Sequence, residues 1–364
     1  MKLLFVNNQP VRFNVETPAR EPLGGTESAI AYLARQLAAN GQDVAILAEL
    51  PPGTPERLGG VRHFPAALAG DPGFFAAEDF DAVIAVAAPM LARQLRAAAP
   101  RALHIAWLHA LPDQPGMKPL AEMTPFIDCA VFVSEWQRRA VRFAGAAHVI
   151  GNGIAPAFEN LFGSADEMFA AKQNRAAYTT TPFRGLNVLT RAFGAAQLAT
   201  TLDVWSGMRL YQASDAPYAE IFAAAQATPR LQLHDPVSQP ELAQQLKPVA
   251  FLFYPCVYFE TYCICALEAI AAGLQVIATD IGALKETTLG FAELIPAIGL
   301  SPEELVRSFT ARMEQAQAAF LADPRAFAQE RFAQSRAVVR HGSWRVRAQA
   351  WEEFLAPAIA AKRP

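Results

Sequence analysis

The stretch Phe251–Asp280, FLFYPCVYFETYCICALEAIAAGLQVIATD, decides the fold prediction. Its first residues form an apolar run that ends at Tyr254 and is typical of a buried parallel strand. We expect a loop through Glu260, a helix from about Thr261 to Ala272, and a second strand from Gln275 to Ala278. Strand, loop, helix and strand in that order predict a parallel α/β sheet.

Glu268 lies inside the predicted helix, where nearly every neighbour is apolar. A buried carboxylate is costly unless it is paired or bound to a polar group. It is therefore a salt-bridge partner, part of a face that reaches solvent, or an acceptor for two hydroxyls of a ligand. Glu260 favours the last interpretation because it follows a strand, at the edge where open α/β sheets bind ligands. The free N–H groups of the helix would attract an anion there, so the pattern indicates a nucleotide-sugar site.

The segment FETYCICALEAIAAGLQVIATDIGALKE resembles the signature of retaining glycosyltransferases of the GT-B fold, glycosyltransferase family 4 (glycosyl transferases group 1) in particular. The family pattern is Glu-x-Phe-Gly-Ile-x-x-x-Glu-Ala-x-Ala-x-Gly, then a strand and Thr-Asp-x-Gly. Tyr262 stands where the family usually has Phe, and Cys263 where it usually has Gly. The resemblance implies an α/β protein with two doubly wound, Rossmann-like domains that face an interdomain cleft. It also implies a C-terminal helix that crosses back to the first domain.

The chain alternates strand and helix patterns without a repeat, and an Asn152-Gly153 turn is the predicted hinge. We expect a first, acceptor-side domain over residues 1–152 with a returning helix over 346–364, and a nucleotide-sugar-binding domain over 153–345. In the first domain the patterns predict strands over residues 81–86, 103–108, 129–133 and 148–150, helices over 26–40, 89–98 and 136–144, and a loop over 51–60.

The first domain supplies several candidate site residues. Gly24 and Gly25 stand at the mouth of a predicted helix, where they are either plain turn residues or allow a ligand to approach the backbone. The resemblance implies a place beside the donor diphosphate. His109 follows a buried strand; a lone histidine is more often structural, but the resemblance implies that it faces the transferred sugar. Asp113 and Gln114 are plausible acceptor contacts, and turn chemistry explains them equally well.

In the second domain we expect a strand over residues 176–179, a loop over 180–185 and a helix over 186–193. Arg184 stands at the loop-to-helix junction, where a guanidinium can grip a diphosphate. The family usually has a second cation where this chain has Thr179, and Arg209 could replace it. The loop around Val237 would face the nucleotide base.

The resemblance implies a retaining transfer of sugar from a UDP- or GDP-linked nucleotide diphosphate sugar, with no cofactor and no metal. The acceptor would be a glycan, a lipid-linked molecule or a protein. A GT-B epimerase or phosphorylase, or a degenerate GT-B binding module, remains an alternative. The implied catalytic residues are Glu260, Arg184 and His109. The implied donor contacts are Glu268, Gly24, Gly25, Thr261, Tyr262, Cys263, Ile264, Leu267, Val237 and Arg209.

The amino-acid composition limits which partners and which cellular location we expect. A formal net charge of −3 over 364 residues gives no electrostatic case for a nucleic-acid partner. No apolar run is long enough to cross a membrane and the N-terminus reads as a strand, so we expect a cytoplasmic protein. The predicted helix over 136–144 carries Arg138, Arg139, Arg142 and Phe143. It is either a solvated face or a peripheral contact with the inner membrane surface.

Two further motifs suggest no chemistry. Cys256, Cys263 and Cys265 crowd together while Cys129 lies apart, which indicates buried structural thiols rather than disulfides or a zinc site. Asp79-Phe80-Asp81 precedes a strand and therefore lies at the amino end of the sheet, away from a ligand crevice. We interpret it as a turn rather than a metal–diphosphate motif.

Overall fold

In the computed structural model, residues 1–111, 113, 114, 117 and 119–362 are described. The chain divides into two compact units. The first unit comprises Met1–Gly153 together with the chain from Trp344 onward, and the second comprises Ile154–Ser343. Each unit contains a sheet with helices between its strands, which confirms the predicted α/β class.

The first unit is built on an eight-stranded sheet. Its strands are β1 Lys2–Val6, β2 Asp43–Ala48, β3 Arg57–Leu58, β4 Val61–Pro65, β5 Ala82–Val86, β6 Leu103–Leu108, β7 Cys129–Phe132 and β8 Ala146–Val149. Its helices before the second unit are α1 Thr17–Arg20, α2 Gly25–Ala39, α3 Pro72–Glu78, α4 Ala92–Ala98, α5 Leu120–Met123 and α6 Glu135–Ala140. The strand order is β3-β4-β2-β1-β5-β6-β7-β8, and all paired strands run parallel except β3 and β4.

Two expectations for this unit are corrected. The helix predicted over 136–144 ends at Ala140, because Val141 turns to extended backbone and its side chain is buried. Arg142 and Phe143 therefore lie beyond the helix, and only Arg138 and Arg139 of the predicted basic residues belong to it. The loop predicted over 51–60 contains the short strand β3, which pairs with β4.

The second unit is built on a six-stranded parallel sheet. Its strands are β9 Gln173–Tyr178, β10 Thr201–Trp205, β11 Leu231–His234, β12 Val249–Tyr254, β13 Gln275–Thr279 and β14 Glu293–Ile295. Its helices are α7 Ala165–Ala171, α8 Leu186–Ala195, α9 Ala219–Gln226, α10 Gln239–Leu246, α11 Ile264–Ala271, α12 Leu284–Thr287, α13 Pro302–Ala322 and α14 Pro324–Gly342. The strand predicted over 176–179 begins three residues earlier and ends at Tyr178.

The strand order of the second sheet determines where a ligand can bind. The order is β11-β10-β9-β12-β13-β14, so the chain builds outward from β9 to one side and then resumes with β12 on the other. Such a reversal leaves a crevice outside the carboxyl ends of the two central strands. Every residue of β12 is buried, and β9 is buried over its last three residues, 176–178, as in parallel sheets covered by helices on both faces.

The last helix, α15 Trp344–Lys362, packs within the first unit, as the sequence predicts for a returning helix. The Trp351 ring lies 5.1 Å from that of Trp107, and Glu352 accepts hydrogen bonds from Asn40 and Gln42 at 2.9 and 2.8 Å. Within the described part of the chain, no helix combines the length and the apolar character needed to span a membrane. Residues 363 and 364 of the predicted helix lie outside the described residues.

Candidate functional site

The loops that follow β9 and β12 meet at the crevice of the second sheet. A 3₁₀ turn, Pro182–Arg184, precedes Gly185, whose φ is +120°. A Cβ at Gly185 would lie 2.1 Å from the carbonyl oxygen of Pro255, so a side chain there would push the two loops apart. The backbone N–H of Val257 points at the carbonyl oxygen of Arg184, at 3.4 Å. Glycine thus brings Arg184 against the loop that carries Glu260.

Arg184 and Glu260 form an ion pair in this crevice. Arg184 Nη1 donates to Glu260 Oε1, and the Tyr254 hydroxyl donates to the same oxygen. The Arg184 side chain is 19% exposed and that of Glu260 5%. Burial alone would lower the pKa of Arg184, but the negative charge of Glu260 reverses the effect and raises it well above its ordinary value. The guanidinium therefore remains charged although it is buried.

Aromatic rings confine the same guanidinium. Its Cζ lies 4.8 Å from the ring centre of Tyr258 and 5.6 Å from that of Phe183, distances at which a cation is attracted to the ring face. Sequence reasoning missed both rings and the Tyr254 hydroxyl. The signal available was that all three aromatic residues flank the two predicted charged residues within six positions.

The turn after β13 holds Glu260 in place. Glu260 and Gly282 form an isolated β-bridge, and the N–H of Ala283 donates to the Glu260 carbonyl at 2.8 Å. A Cβ at Gly282 would lie 2.3 Å from that carbonyl oxygen, so this contact requires glycine. Thr279 fixes the start of the same loop, because its hydroxyl donates to the carbonyl of Cys256 at 2.7 Å. The Thr-Asp-x-Gly segment therefore supports the backbone of Glu260.

Several buried polar atoms at this edge of the sheet form no hydrogen bond within the described part of the chain. Buried polar groups normally find a partner, so such a cluster marks a place where a ligand or water would supply it. Each atom belongs to a residue that follows the carboxyl end of β9, β10 or β11. The atoms are Thr181 Oγ1, Arg184 Nε, Ser206 Oγ and Gln239 Oε1.

The helix α11 begins at Ile264, three residues later than predicted. Cys263 precedes it with φ +68° and ψ +71°, a left-handed conformation that cannot continue a right-handed helix. Thr261 and Tyr262 therefore belong to the loop, and the free N–H groups of the first helical turn begin at Ile264. Glycine adopts this conformation without strain, which explains why the family pattern has glycine where this chain has Cys263.

Glu268 lies in the middle of α11 and is 4% exposed. Its Oε1 accepts a hydrogen bond from the backbone N–H of Ala155 at 2.9 Å, and its side chain is also hydrogen-bonded to Gln239. Burial raises the pKa of Glu268 to about 8, and these two hydrogen bonds oppose the increase only in part. Within the described residues it has no cationic partner, so the salt bridge considered from the sequence is not formed.

The other predicted donor residues of this unit are dispersed. Leu267 is 1% exposed and belongs to the apolar core, whereas Val237 is half-buried in the segment between β11 and α10. Arg209 is exposed, on a 3₁₀ turn Met208–Tyr211 that follows β10. Tyr211 of that turn is among the groups that act electrostatically on Arg184, so the turn lies near the ion pair.

The remaining predicted residues belong to the first unit. Gly24 is the residue before α2, its carbonyl accepts from the N–H of Ser28 at 3.0 Å, and Gly25 is the first helical residue. His109 follows β6, its ring centre lies 4.6 Å from that of Trp107, and burial lowers its pKa to about 3. The imidazole is therefore uncharged at neutral pH.

The loop after His109 is described only in part. Asp113 is exposed and Gln114 half-buried, with the Gln114 N–H donating to the Leu111 carbonyl at 3.1 Å. The prolines at 112 and 115 lie outside the described residues.

Glu27 is a buried carboxylate that sequence reasoning underestimated. It lies in the first turn of α2, where the sequence alone indicates no more than a favourable helix charge, but it is 3% exposed and burial raises its pKa. Its Oε1 accepts from Asn7 Nδ2 at 3.4 Å, and Asn7 directly follows β1. Because α2 packs over the sheet, the first turn is buried, which the local charge pattern does not reveal.

The acidic motif at residues 79–81 lies at the amino end of β5. Asp79 pairs with Arg101 at 2.8 Å, and Asp81 accepts from the backbone N–H of Lys2 at 2.6 Å. Across the described ranges of the chain, no group of three or more His, Cys, Asp or Glu residues is arranged to hold a metal ion.

Two family profiles match the sequence, one in each unit. Glycosyltransferase Family 4 matches residues 23–158, and Glycosyl transferases group 1 matches residues 176–315. The second match contains Arg184, Glu260 and Glu268. No curated protein matches the chain in sequence.

Solved structures share the fold along nearly the whole chain. A sucrose-phosphate synthase from Thermosynechococcus elongatus is similar with a TM-score of 0.74 at 17% identity, covering 99% of this chain and 100% of that one. A glycosyltransferase from Rickettsia africae gives 0.73 at 12% identity with 98% of both chains covered. An α,α-trehalose 6-phosphate synthase from Burkholderia multivorans gives 0.68 at 14% identity with 99% of both covered. With two family profiles on the two units and this shared fold, the chain belongs to the GT-B glycosyltransferases of family 4.

Proposed function

We propose that this glycosyltransferase moves a sugar from a UDP- or GDP-linked donor to a hydroxyl of a glycan, lipid-linked or protein acceptor. We further propose that the anomeric configuration is retained and that no metal ion is required. The observation that carries the proposal is the buried ion pair of Arg184 and Glu260, at the carboxyl ends of β9 and β12 and next to the start of α11.

The diphosphate of the donor would bind between Arg184 and the first turn of α11. Arg184 Nη1 is engaged by Glu260, but its Nε has no hydrogen-bond partner within the described residues and can donate to a phosphate oxygen. The N–H groups of Ile264 and Cys265 provide further donors with the positive end of the helix dipole. In this account the fixed charge of Arg184 stabilises the leaving diphosphate as the glycosidic bond breaks.

The nucleoside would bind through its ribose diol. Glu268 accepts hydrogen bonds from the Ala155 N–H and from the Gln239 side chain, and Gln239 Oε1 has no partner within the described residues. A carboxylate has about four lone-pair sites, so Glu268 keeps acceptor capacity beside Gln239 Oε1. Two acceptors side by side suit the two hydroxyls of a ribose. We therefore add Gln239 to the donor residues predicted from the sequence.

The sugar would be held by the second carboxylate. Glu260 Oε1 accepts from Arg184 and Tyr254, and the carboxylate has a second acceptor oxygen, Oε2. That oxygen is available for the sugar hydroxyls. Glu260 also keeps the guanidinium charged, so one carboxylate would position the sugar and preserve the group that binds the diphosphate.

The first unit would supply the acceptor contacts and His109. Because His109 is uncharged at neutral pH, it would act on the transferred sugar as a hydrogen-bonding group and not as a cation. Asp113 and Gln114 would contact the acceptor. For retention, the leaving phosphate would receive the proton of the acceptor hydroxyl on the face that it leaves, so no protein base is assigned.

The experiment is an incubation of the intact protein with a panel of UDP- and GDP-sugars in EDTA, with released UDP or GDP quantified by chromatography. Slow transfer to water serves where the acceptor is unknown, and NMR of the fresh product reads the anomeric configuration. Release of nucleoside diphosphate supports the proposal. An isomerised nucleotide sugar would show an epimerase instead. A sugar phosphate formed only with added inorganic phosphate would show a phosphorylase. Binding without turnover would show a binding module.

A further inference from the structure

Two cysteines stand one residue apart at the start of α11. Cys263 is the residue before the helix and Cys265 is the second helical residue. Their Sγ atoms lie 3.5 Å apart and share a weak hydrogen bond, and both are free thiols. The pair therefore lies in the turn whose N–H groups would bind the donor diphosphate.

The two thiols differ in exposure. Cys265 is half-buried, whereas Cys263 is buried, with 7% exposed. A small oxidant that enters the crevice therefore meets Cys265 first and finds Cys263 beside it. The third thiol of the motif, Cys256, is directed elsewhere, because its Sγ donates to the Tyr258 carbonyl at 3.1 Å.

Packing alone does not explain a cysteine at position 263. Its φ of +68° lies in the region that glycine tolerates, and a residue with a Cβ is strained there. A pair of thiols in contact at a strained position of a functional turn is a chemical group as well as a packing element.

We propose that Cys263 and Cys265 form a reversible intramolecular disulfide when the protein meets a hydroperoxide, and that this disulfide weakens nucleoside diphosphate binding. The second half of this proposal rests on the proposed function, in which the turn holds the diphosphate. The modification would act as a redox control of donor binding.

The chemistry balances without any group from the protein beyond the two thiols. The sulfur of Cys265 attacks one peroxide oxygen of ROOH, the O–O bond breaks, and the thiol proton leaves with RO⁻ as ROH. Cys265 is then a sulfenic acid. The sulfur of Cys263 attacks it, the S–O bond breaks, and the departing hydroxide takes the Cys263 proton as water. Two thiols are oxidised and one peroxide is reduced; a dithiol reverses the reaction by exchange.

In this proposal, disulfide formation changes the turn that would hold the diphosphate. A sulfur–sulfur bond is about 2.0 Å long, whereas the two atoms are 3.5 Å apart in the structure. The bond would tie the side chains on both sides of Ile264 together, and we expect this constraint to redirect the N–H groups of Ile264 and Cys265. Because these groups are the free donors of the first turn, their alignment on an anion is lost.

The test begins with the reduced, intact protein treated with hydrogen peroxide. Peptide mass spectrometry should find the loss of two hydrogens in the peptide that holds Cys263 and Cys265, and its recovery after dithiothreitol. Cys265→Ser and Cys263→Gly should each abolish this change; glycine suits the backbone at 263, so that variant is expected to fold. Cys129→Ser alters a thiol of the first unit, and disulfide formation between Cys263 and Cys265 should still occur in this variant.

The same samples are then titrated with UDP and GDP by calorimetry. Affinity should fall by about tenfold or more on oxidation, the scale for losing one hydrogen bond to a charged group, and should return with dithiothreitol. The redox proposal is overturned if both thiols are still free after peroxide, if they are over-oxidised to sulfinic acids, or if the disulfide forms and the affinity is unchanged. None of these three results bears on the proposed function. Absence of binding by the reduced protein would overturn the proposed function, and the mass spectra would still decide the disulfide.

Discussion

Arg184 donates through Nη1 to Glu260 Oε1, although the two residues are 76 positions apart in the chain. The contact exists because β9 and β12 are neighbours in the sheet and the loops after them meet at Gly185. The Glu260 carboxylate holds the Arg184 guanidinium in place and keeps it charged. The pair therefore combines a fixed cation for a diphosphate with a carboxylate for a sugar.

The first prediction is that Arg184→Lys keeps the fold and lowers turnover by about 10²–10³-fold, the scale for losing one preorganised charge-stabilising group. Lysine preserves the charge but lacks the Nε donor and the planar fork. Turnover is measured with the best donor of the panel, and the melting temperature checks the fold. Arg191→Ala is the control, because Arg191 lies on the surface in an exposed pair with Glu303. Wild-type turnover in Arg184→Lys would contradict the assignment.

The second prediction compares alanine substitutions at two glycines that have similar backbone conformations. Gly282 and Gly290 have φ of +74° and +77°, but a Cβ at Gly282 would lie 2.3 Å from the Glu260 carbonyl oxygen, whereas one at Gly290 meets nothing within 4 Å. Gly282→Ala should therefore lower both stability and turnover, and Gly290→Ala should lower stability alone, by about 1–2 kcal/mol for the left-handed backbone. Denaturant unfolding and turnover are the measurements. Equal turnover in the two variants would argue against a positioning role for Gly282.

The third prediction concerns pH and stability. The folded pKa of Glu268 is about 8 and its ordinary value 4.5, so between these values the folded protein keeps a proton that the unfolded chain has lost. The contribution of Glu268 to stability is therefore complete below the lower value and is lost as pH rises through about 8. Glu268→Gln cannot titrate, so its stability relative to wild type should increase with pH across this window. A pH-independent difference in unfolding free energy would show that Glu268 is ionised throughout.

The fourth prediction concerns protons and donor binding. Two ribose hydroxyls donate best to an ionised carboxylate, so binding should lower the pKa of Glu268 and release a proton at neutral pH. Calorimetric titration of UDP or GDP in two buffers of different ionisation enthalpy measures that release. Glu268→Gln supplies the baseline, because other groups still titrate in it. If wild type and Glu268→Gln release the same number of protons, Glu268 does not contact the diol.

Local patterns in the sequence predict the strands around the site well. Leu103–Leu108 has the predicted bounds, and β12 and β13 end within one residue of the predicted positions, because apolar runs bounded by turn residues are a local property. The start of α11 was wrong by three residues, because it depends on the left-handed backbone of Cys263. The family pattern has glycine at that position, and this glycine was the available signal for a left-handed backbone there.

Contacts between distant segments could not be predicted in the same way. The pairing of Arg184 with Glu260 depends on strand order, and the burial of Glu27 depends on how α2 packs over its sheet. The helix predicted over 136–144 ends early, at Ala140, for a related reason, since Val141 is buried by the surrounding structure in an extended conformation. The sequence identified residues capable of the chemistry, and tertiary packing determined which of them meet.

The central claim is that the crevice beside Arg184 and α11 binds a nucleoside diphosphate without a metal. Calorimetric titration of UDP and GDP into the reduced, intact protein in EDTA tests it most directly, with Arg191→Ala and Arg184→Lys alongside. The account predicts one site for at least one of the two nucleotides, unchanged in Arg191→Ala and weakened in Arg184→Lys. The claim is contradicted if neither nucleotide binds, if binding appears only after Mg²⁺ or Mn²⁺ is added, or if the two variants bind with equal affinity.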